Sequence, residues 1–197
     1  MTTALYLGRF QPFHKGHLSM LEYMFRRYDK IVIAICSATE ECTKRNPFNY
    51  IHRYNMVYGV ISNKFSSEYK RFKIIPIPDI KCPEKWADFT HSIFGEYDVV
   101  FTNNKNTKKL FEDRGDKVVG TKPYTIDRVC YTPKIGEWTE TYEVRGTLIR
   151  ECIAHKESFW EELVPNIVAN YIKTRNLHIQ VEEIYNEEIQ VYNYVLY

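Results

Sequence analysis

The sequence predicts an α/β protein, a Rossmann-like open parallel sheet with helices on both faces. Short apolar runs alternate along the chain with segments whose apolar residues recur every three or four positions. The run at 31–36, IVIAIC, is continuously apolar, as expected for a strand that is covered on both faces. Alternation of strands and helices is typical of parallel sheets, in which ligands bind beyond the carboxyl ends of the strands.

Each element follows from its local pattern. The predicted strands are residues 4–7, 31–36, 72–77, 98–102 and 117–120. The predicted helices are residues 16–28, 51–65, 83–94, 107–114, 147–154 and 165–174. Residues 123–144 mix Pro, Gly, Thr and Tyr without a helical period, which indicates an irregular loop or a hairpin. The tail has no clean period either, so a strand pair, a docked helix and an oligomer contact all remain open.

Composition excludes several classes of protein. With 197 residues and 44% hydrophobic residues, the chain is long enough for one domain with a sizeable core. The 27 basic and 25 acidic residues give a net charge of +2, so no general attraction to nucleic acid is expected. No apolar run is long enough for a membrane helix, and the N-terminus does not resemble a signal peptide. The five cysteines form no CxxC pair, which favours free thiols in a reducing compartment and therefore the cytoplasm.

Two histidines follow the first predicted strand. His14 and His17 flank Gly16, where backbone can approach a ligand closely. A helix that begins here offers free amides and a positive dipole end, which favour an anion such as phosphate. Taken alone, such a pair is more often structural, and as a metal pair it lacks a third ligand.

The surrounding residues identify a family. The stretch GRFQPFHKGH at 8–17 resembles the signature of the HxGH nucleotidylyltransferase superfamily, in the form typical of archaeal-type nicotinamide-nucleotide adenylyltransferases. The resemblance implies the nucleotidylyltransferase fold over residues 1–176, with a small helical C-terminal part and a tail at 177–197. It also implies catalytic roles for His14 and His17. The residues of this stretch that it places on the ATP phosphates are Gly8, Arg9, Phe10, Gln11 and Gly16.

Two further segments agree with the phosphate end of that family. The segment KRNPF at 44–48 resembles the family's R-(D/N)-P-F element, which places Arg45 on the ATP side. The segment VRGTLIR at 144–150 resembles I-S-x-T-x-I-R, which implies phosphate contacts for Thr147 and a catalytic role for Arg150. Arg145 departs from the pattern, because it stands where the family usually has Ser. Arg53 matches a further family arginine at the start of a helix.

Other segments resemble the nicotinamide end. Residues 77–80, IPDI, and the later Trp86 resemble the family's I-P-x-D-I stretch and its following Trp. The resemblance implies that Asp79, Ile80 and Trp86 recognise nicotinamide mononucleotide, since an aromatic face can stack on a cationic ring. Asn104 is the one residue that matches the family's turn after the fourth strand. Residues 125–142 exceed the family's usual connection by roughly ten residues.

The resemblance implies a reaction. ATP and nicotinamide mononucleotide would give NAD and pyrophosphate by direct in-line attack, with Mg²⁺ bound through the ATP phosphates and no metal ligands from the protein. The partners would be small molecules, without nucleic acid or membrane, and the assembly a homo-oligomer in the cytoplasm. Nicotinic acid mononucleotide, phosphopantetheine or a lipid headgroup phosphate remains open as the acceptor, as does cytidylyl transfer. A non-catalytic nucleotide sensor is the alternative of another class; Arg145 favours it, and turnover would exclude it.

Overall fold

A five-stranded parallel sheet forms the centre of the molecule and confirms the predicted fold class. The structure, a computed structural model, describes residues 1–132 and 136–195. The strands are β1 (Thr3–Gly8), β2 (Lys30–Ile35), β3 (Phe72–Pro76), β4 (Val99–Phe101) and β5 (Val118–Val119). Their order across the sheet is β3-β2-β1-β4-β5, with every pair parallel.

The α-helices in the described residues are α1 (Lys15–Phe25), α2 (Tyr50–Lys64), α3 (Trp86–Phe94), α4 (Lys105–Asp113), α5 (Gly146–Ala154), α6 (Trp160–Leu163), α7 (Asn166–Thr174) and α8 (Leu177–Val195). Six of these eight, α1 to α5 and α7, lie where helical periodicity predicts them, with ends that differ by a few residues. The sequence did not predict α6, because four residues are too few to show a period. None of the helices, as far as the chain is described, is long and apolar enough to cross a membrane.

The structure decides between the alternatives that the sequence left open for residues 123–144 and for the tail. Strands β6 (Thr125–Thr132) and β7 (Gly136–Glu143) pair antiparallel, so residues 123–144 contain a hairpin. The tail forms α8, a docked helix that packs against α5 and α7. Leu177 and Val181 of α8 are buried in the core, while residues 196–197 lie outside the described part of the chain. Among residues 177–187, for which burial is described, Leu177 and Val181 are the buried ones, and two positions are too few to show a helical period in the sequence.

Successive residues of β1 face opposite layers. Tyr6 packs in a core cluster that contains Met20, Leu21 and Met24 of α1, whereas Leu5 packs in a cluster with Trp86 and Phe111 of α3 and α4. Helices therefore cover both faces of the sheet, as a parallel sheet requires.

The side of the sheet on which successive strands are added changes between β1 and β4. The chain proceeds from β1 outward to β3 and then returns to β4 on the other side of β1. The loops that follow β1 and β4 consequently diverge above the sheet and leave a crevice between them. This crevice is where the fold positions a ligand.

A buried arginine holds the carboxyl ends of two strands together. Arg53 of α2 has no exposed surface. Its Nη1 donates to the carbonyls of Arg9 and Cys36 at 3.1 and 2.7 Å, and its Nη2 donates to the carbonyl of Ser37 at 2.9 Å. Burial lowers the pKa of Arg53 to about 10, so the guanidinium still carries its charge at neutral pH. The arginine that matched the family therefore ties the loop after β1 to the loop after β2.

Replacing this guanidinium should destabilise the fold. Arg53→Met keeps an apolar stem but leaves partly buried carbonyls without donors, which typically costs about 2–4 kcal/mol in total. Urea unfolding measures the change. Arg27→Met is the matched control, since exposed Arg27 follows α1, where its Nη1 donates to the Tyr23 carbonyl and its guanidinium lies over the Tyr23 ring, and it should shift stability by no more than about 0.5 kcal/mol. Equal stability of the two variants would contradict the role of Arg53.

Candidate active site

A cleft of about 1420 Å³ opens at the carboxyl edge of the sheet. It is larger than the roughly 300–1,000 Å³ of an ordinary small-molecule site and has room for two nucleotides. The structure brings together here every residue that the sequence predicted for the site. They are Gly8, Arg9, Phe10, Gln11, His14, Gly16, His17, Arg45, Asp79, Ile80, Trp86, Asn104, Thr147 and Arg150.

The loop after β1 is shaped by one aromatic ring. Phe10 has a φ of +52° and is buried, with its ring centroid 4.8 Å from that of His17. A Cβ on Gly8 would lie 2.8 Å from the Phe10 ring, so only glycine fits there. These two predicted phosphate-binding residues thus set the path of the loop, and the Phe10 side chain lies in the core beneath it.

Gln11 joins this loop to the loop after β2. Its side-chain Nε2 donates to the Phe48 carbonyl at 2.7 Å, and its Oε1 accepts from the Phe48 amide at 3.0 Å. The amide group is 4% exposed and fully engaged in this pair. The structure therefore gives the Gln11 side chain a bridging position beside the cleft.

His14 and His17 lie against each other at the start of α1. Their rings are stacked with centroids 3.6 Å apart. The backbone N–H of His14 donates to Nδ1 of His17 at 3.2 Å, which places the proton of neutral His17 on Nε2. Nδ1 of His14 is buried without a hydrogen-bond partner in the described structure.

Burial keeps both imidazoles neutral. It lowers the pKa of His14 to about 3. It also lowers the pKa of His17 well below its ordinary value, and a charge on His14 would lower it further. The pair can therefore act at neutral pH as hydrogen-bond donors without carrying charge.

Arg9 lines the cleft and has one side-chain nitrogen without a partner in the described part of the chain. Its Nη1 is buried and has no hydrogen bond within the described residues. Burial lowers the pKa of Arg9, and the nearby Arg45 and Arg150 lower it further. Arg45 is exposed on the loop after β2. An unpartnered guanidinium nitrogen among other cations is the environment that an anionic ligand would complete.

Arg150 fastens α5 to the loop after β1. It is 5% exposed, and its Nη1 and Nε donate to the carbonyls of Gln11 and Lys44, each at 2.8 Å. A Cβ on Gly146 would lie 2.7 Å from the Gln11 carbonyl oxygen, so the start of α5 sits directly on that loop. Nη2 of Arg150 lies 3.4 Å from the hydroxyl of exposed Thr147. Most of this guanidinium is used within the protein, and Nη2 faces Thr147.

The predicted nicotinamide end lies at the other margin of the cleft. Asp79 is exposed and Ile80 half-buried, in the segment that follows β3. Trp86 is 8% exposed, donates from Nε1 to the Pro78 carbonyl at 3.2 Å and meets the Phe111 ring edge to face. Asn104 caps α4 by accepting from the Thr107 amide at 3.0 Å. Trp86 and Asn104 thus line the cleft while they also hold local structure.

The sequence analysis missed several lining residues. Thr102, Asn103 and Lys105 follow β4, and Lys122 and Tyr124 follow β5. The available signal was the rule that ligands bind beyond the carboxyl ends of all the strands, applied to β4 and β5 as well as to β1.

Positive charge predominates in the cleft. The lining cations are Arg9, Arg45, Lys105, Lys122, Arg145 and Arg150. The lining carboxylates are Glu40, Asp79 and Glu143. Within the described residues, no group of three or more His, Cys, Asp or Glu side chains could hold a metal ion. This balance of charge suits a polyphosphate.

Known proteins resemble the chain in sequence and in fold. The cytidylyltransferase-like family model matches residues 5–187. The chain is 36% identical to a nicotinamide-nucleotide adenylyltransferase of Pyrococcus furiosus over 173 residues, which cover 88% of this chain and 84% of that protein. It is 30% identical to the Ignicoccus hospitalis protein of the same name, and the match covers 92% of this chain and 96% of that protein.

Solved structures share the fold. A bifunctional NMN adenylyltransferase/ADP ribose pyrophosphatase from Francisella tularensis has a TM-score of 0.70 at 17% identity, covering 99% of this chain and 56% of that one. The chain thus spans little more than half the length of that protein. Nicotinic acid mononucleotide adenylyltransferase of Plasmodium falciparum has a TM-score of 0.58 at 11% identity, and the match covers 90% of this chain and 96% of that one.

The buried histidines predict an acid-sensitive fold. Between pH 6.5 and about 3 the unfolded chain protonates His14 while the folded protein does not, so stability is lost as pH falls through this window. His14→Gln removes this difference. The wild type should therefore lose more stability than the variant when urea unfolding is measured at pH 7 and again at pH 5. Equal losses would show that His14 is protonated in the folded protein.

Proposed function

This chain belongs to the cytidylyltransferase-like family, and we propose that it transfers the adenylyl group of ATP to nicotinamide mononucleotide, giving NAD and pyrophosphate. The observation that carries the proposal is the stacked pair of His14 and His17, which lies at the start of α1 in a cationic cleft. Relatives that align with most of the chain are named for the same reaction.

The chemistry is a direct displacement. A phosphate oxygen of the mononucleotide forms a bond to the α-phosphorus of ATP while the bond to the bridging oxygen of pyrophosphate breaks. The nucleophile is already an anion, so no general base is needed. Catalysis then comes from positioning the two phosphates and stabilising the charge that develops between them.

The histidines supply hydrogen bonds at the reacting phosphate. His17 carries its proton on Nε2, because Nδ1 already accepts from the His14 amide. His14 and His17 donate to the α- and β-phosphate oxygens, on which negative charge is concentrated in the transition state. Their neutrality suits this role, since a neutral donor can enter a cleft that already holds several arginines.

The cations hold the triphosphate. Arg9 offers its unpartnered Nη1, and Arg45 offers a fork at the exposed rim. Thr147 and the remaining nitrogen of Arg150 contribute at the start of α5. Gly8, Phe10, Gln11 and Gly16 hold the backbone of the loop around the phosphates.

Mg²⁺ would enter the cleft with ATP, with the phosphate oxygens as its ligands. The cleft offers the separate carboxylates Glu40, Asp79 and Glu143, and no metal-binding group of three occurs in the described residues. These separate carboxylates are compatible with a cation whose ligands are mainly phosphate oxygens. When bound, Mg²⁺ neutralises part of the triphosphate charge.

The acceptor mononucleotide binds at the margin of the cleft that is formed by Asp79, Ile80, Trp86 and Asn104. Polar groups near Asp79 can bond the carboxamide, and Trp86, which lines the cleft, can contact the cationic pyridinium ring. The family resemblance further supports a homo-oligomer that works in the cytoplasm.

Product analysis tests the reaction. Purified protein is incubated with Mg²⁺ and ATP and, in parallel, with nicotinamide mononucleotide, nicotinic acid mononucleotide or phosphopantetheine. Chromatography should show NAD and pyrophosphate, and the relative rates give the preferred acceptor. ATP binding without any dinucleotide product would reject the proposal and favour a nucleotide sensor.

Removing one histidine should slow turnover far more than it weakens binding. His17→Ala should lower kcat about 100- to 1,000-fold, because loss of a preorganised donor costs about 2.7–4 kcal/mol in the transition state. KM for ATP should change much less. His155→Ala is the control, since His155 is exposed at the end of α5 and does not line the cleft. Near-normal kcat in His17→Ala would remove that residue from the mechanism.

Replacing Trp86 should affect the affinities for the two substrates differently. Trp86→Ala should weaken binding of nicotinamide mononucleotide while ATP affinity stays nearly unchanged, as measured by calorimetry. Trp86→Phe keeps a ring but loses the hydrogen bond to Pro78, so it should retain more of the affinity than Trp86→Ala. If both substrates weaken equally, the tryptophan acts through packing against Phe111.

A further inference from the structure

An ion pair stands at the rim of the cleft, where the hairpin meets α5. Glu143 is the last residue of β7, and Arg145 is the N-cap of α5. Nη2 of Arg145 donates to the carboxylate of Glu143. Both side chains line the cleft. Neither side chain belongs to the groups proposed above to bind the substrates.

Local geometry explains why the two side chains meet. Val144 between them is 4% exposed and packs into the core, and its amide donates to the Tyr124 carbonyl at 2.8 Å. Arg145 has extended backbone, with φ −130° and ψ 148°. In extended chain, residues two apart share a face. Glu143 and Arg145 therefore project together on the side opposite Val144.

The position of Arg145 next to the phosphate-binding residues is fixed by packing. Gly146 lies directly on the Gln11 carbonyl, and Thr147 and Arg150 follow within the first turns of α5. The Arg145 side chain is 67% exposed, whereas its backbone is held at this contact. The guanidinium can therefore reorient without any movement of the helix.

The partner of Arg145 differs in charge from those of Arg9 and Arg150. Nη1 of Arg9 has no partner, and Nη1 of Arg150 donates to a neutral carbonyl. Arg145, in contrast, is neutralised by a carboxylate. The pairing lowers the pKa of Glu143 and raises that of Arg145. Both groups therefore remain charged at neutral pH.

We propose that Arg145 is a polyphosphate-binding residue that pairs with Glu143 in the absence of nucleotide. When ATP binds, one of its phosphates replaces the Glu143 carboxylate as the partner of the Arg145 guanidinium. The inference rests on the proposed function, because it takes ATP as the ligand of this cleft. It also gives β7 a role, since the hairpin delivers the competing carboxylate. The arginine at this position thus adds charge to the triphosphate site at the cost of an ion pair.

The exchange is physically accessible because the ion pair is exposed. Solvent and salt weaken such pairs, and holding two long side chains in one geometry costs entropy. A triphosphate offers several charged oxygens to the planar fork of the guanidinium. Competition from Glu143 should consequently reduce ATP affinity by a small factor, about two- to fivefold.

A double-mutant cycle tests the exchange. Calorimetry measures the Kd of MgATP for wild type, Glu143→Gln, Arg145→Ser and the double variant, with adenosine as the ligand that lacks phosphates. Glu143→Gln should tighten MgATP binding about two- to fivefold, Arg145→Ser should weaken it, and adenosine binding should stay unchanged. In the Arg145→Ser background, Glu143→Gln should have little effect. Glu40→Gln, measured alone and combined with Arg145→Ser, is the matched control, because it removes another carboxylate of the cleft that is not the partner of Arg145.

The outcomes separate this inference from the proposed function. Equal tightening by Glu143→Gln with and without Arg145, or coupling as large for Glu40→Gln, would overturn the exchange and indicate a general charge effect. If wild type forms NAD while the cycle is additive, the exchange alone is wrong. If MgATP binding is coupled but no dinucleotide forms, the exchange holds and the proposed reaction fails. A wild type that binds no MgATP overturns both.

Discussion

The site depends on guanidinium groups that are buried against backbone carbonyls. Arg53 holds the loop after β1 to the loop after β2, and Arg150 holds the loop after β1 to the start of α5. Loops at the carboxyl edge of a sheet have carbonyls that no strand neighbour satisfies, and a guanidinium offers several donors in one plane. These bonds turn separate loops into one surface, on which the positions of the histidines depend.

Fixing the loops in this way also determines the electrostatics of the cleft. Buried arginines concentrate positive charge at one end of the sheet, and the same burial keeps His14 and His17 neutral. The cleft thus contains cations that attract a polyphosphate and neutral donors that direct hydrogen bonds at it. A site with both suits a displacement at phosphorus, in which most of the catalysis is positioning and charge stabilisation.

The hairpin and the C-terminal helix connect peripheral elements to the same surface. Tyr124, just before β6, lies close to Gly16 at the start of α1. Gln180 of α8 donates to the Pro47 carbonyl at 3.1 Å, in the loop that carries Arg45. Segments that the sequence left open therefore support, from outside the sheet, the end of the cleft that was predicted to bind phosphate.

The sequence by itself determined the alternation of strands and helices and the cluster of site motifs. Both are local: periodicity records which face of an element is buried, and the motif GRFQPFHKGH fits within one strand, loop and helix. The bounds of α1 and α2 were close to the predicted ones for the same reason. That Gly8 must be glycine, however, depends on the ring of Phe10, which only the folded loop brings against it.

Tertiary structure alone decided which side chains remain available to a ligand. Gln11, Trp86 and Arg150 were predicted as ligand contacts, yet each uses hydrogen-bonding groups on backbone, two of them on residues far away in sequence. The choice of a hairpin and a docked helix was likewise made by pairing and packing between distant segments. A pattern in sequence reports the type of a residue, whereas the partner that satisfies its polar atoms is set by contacts that exist only after the chain has folded.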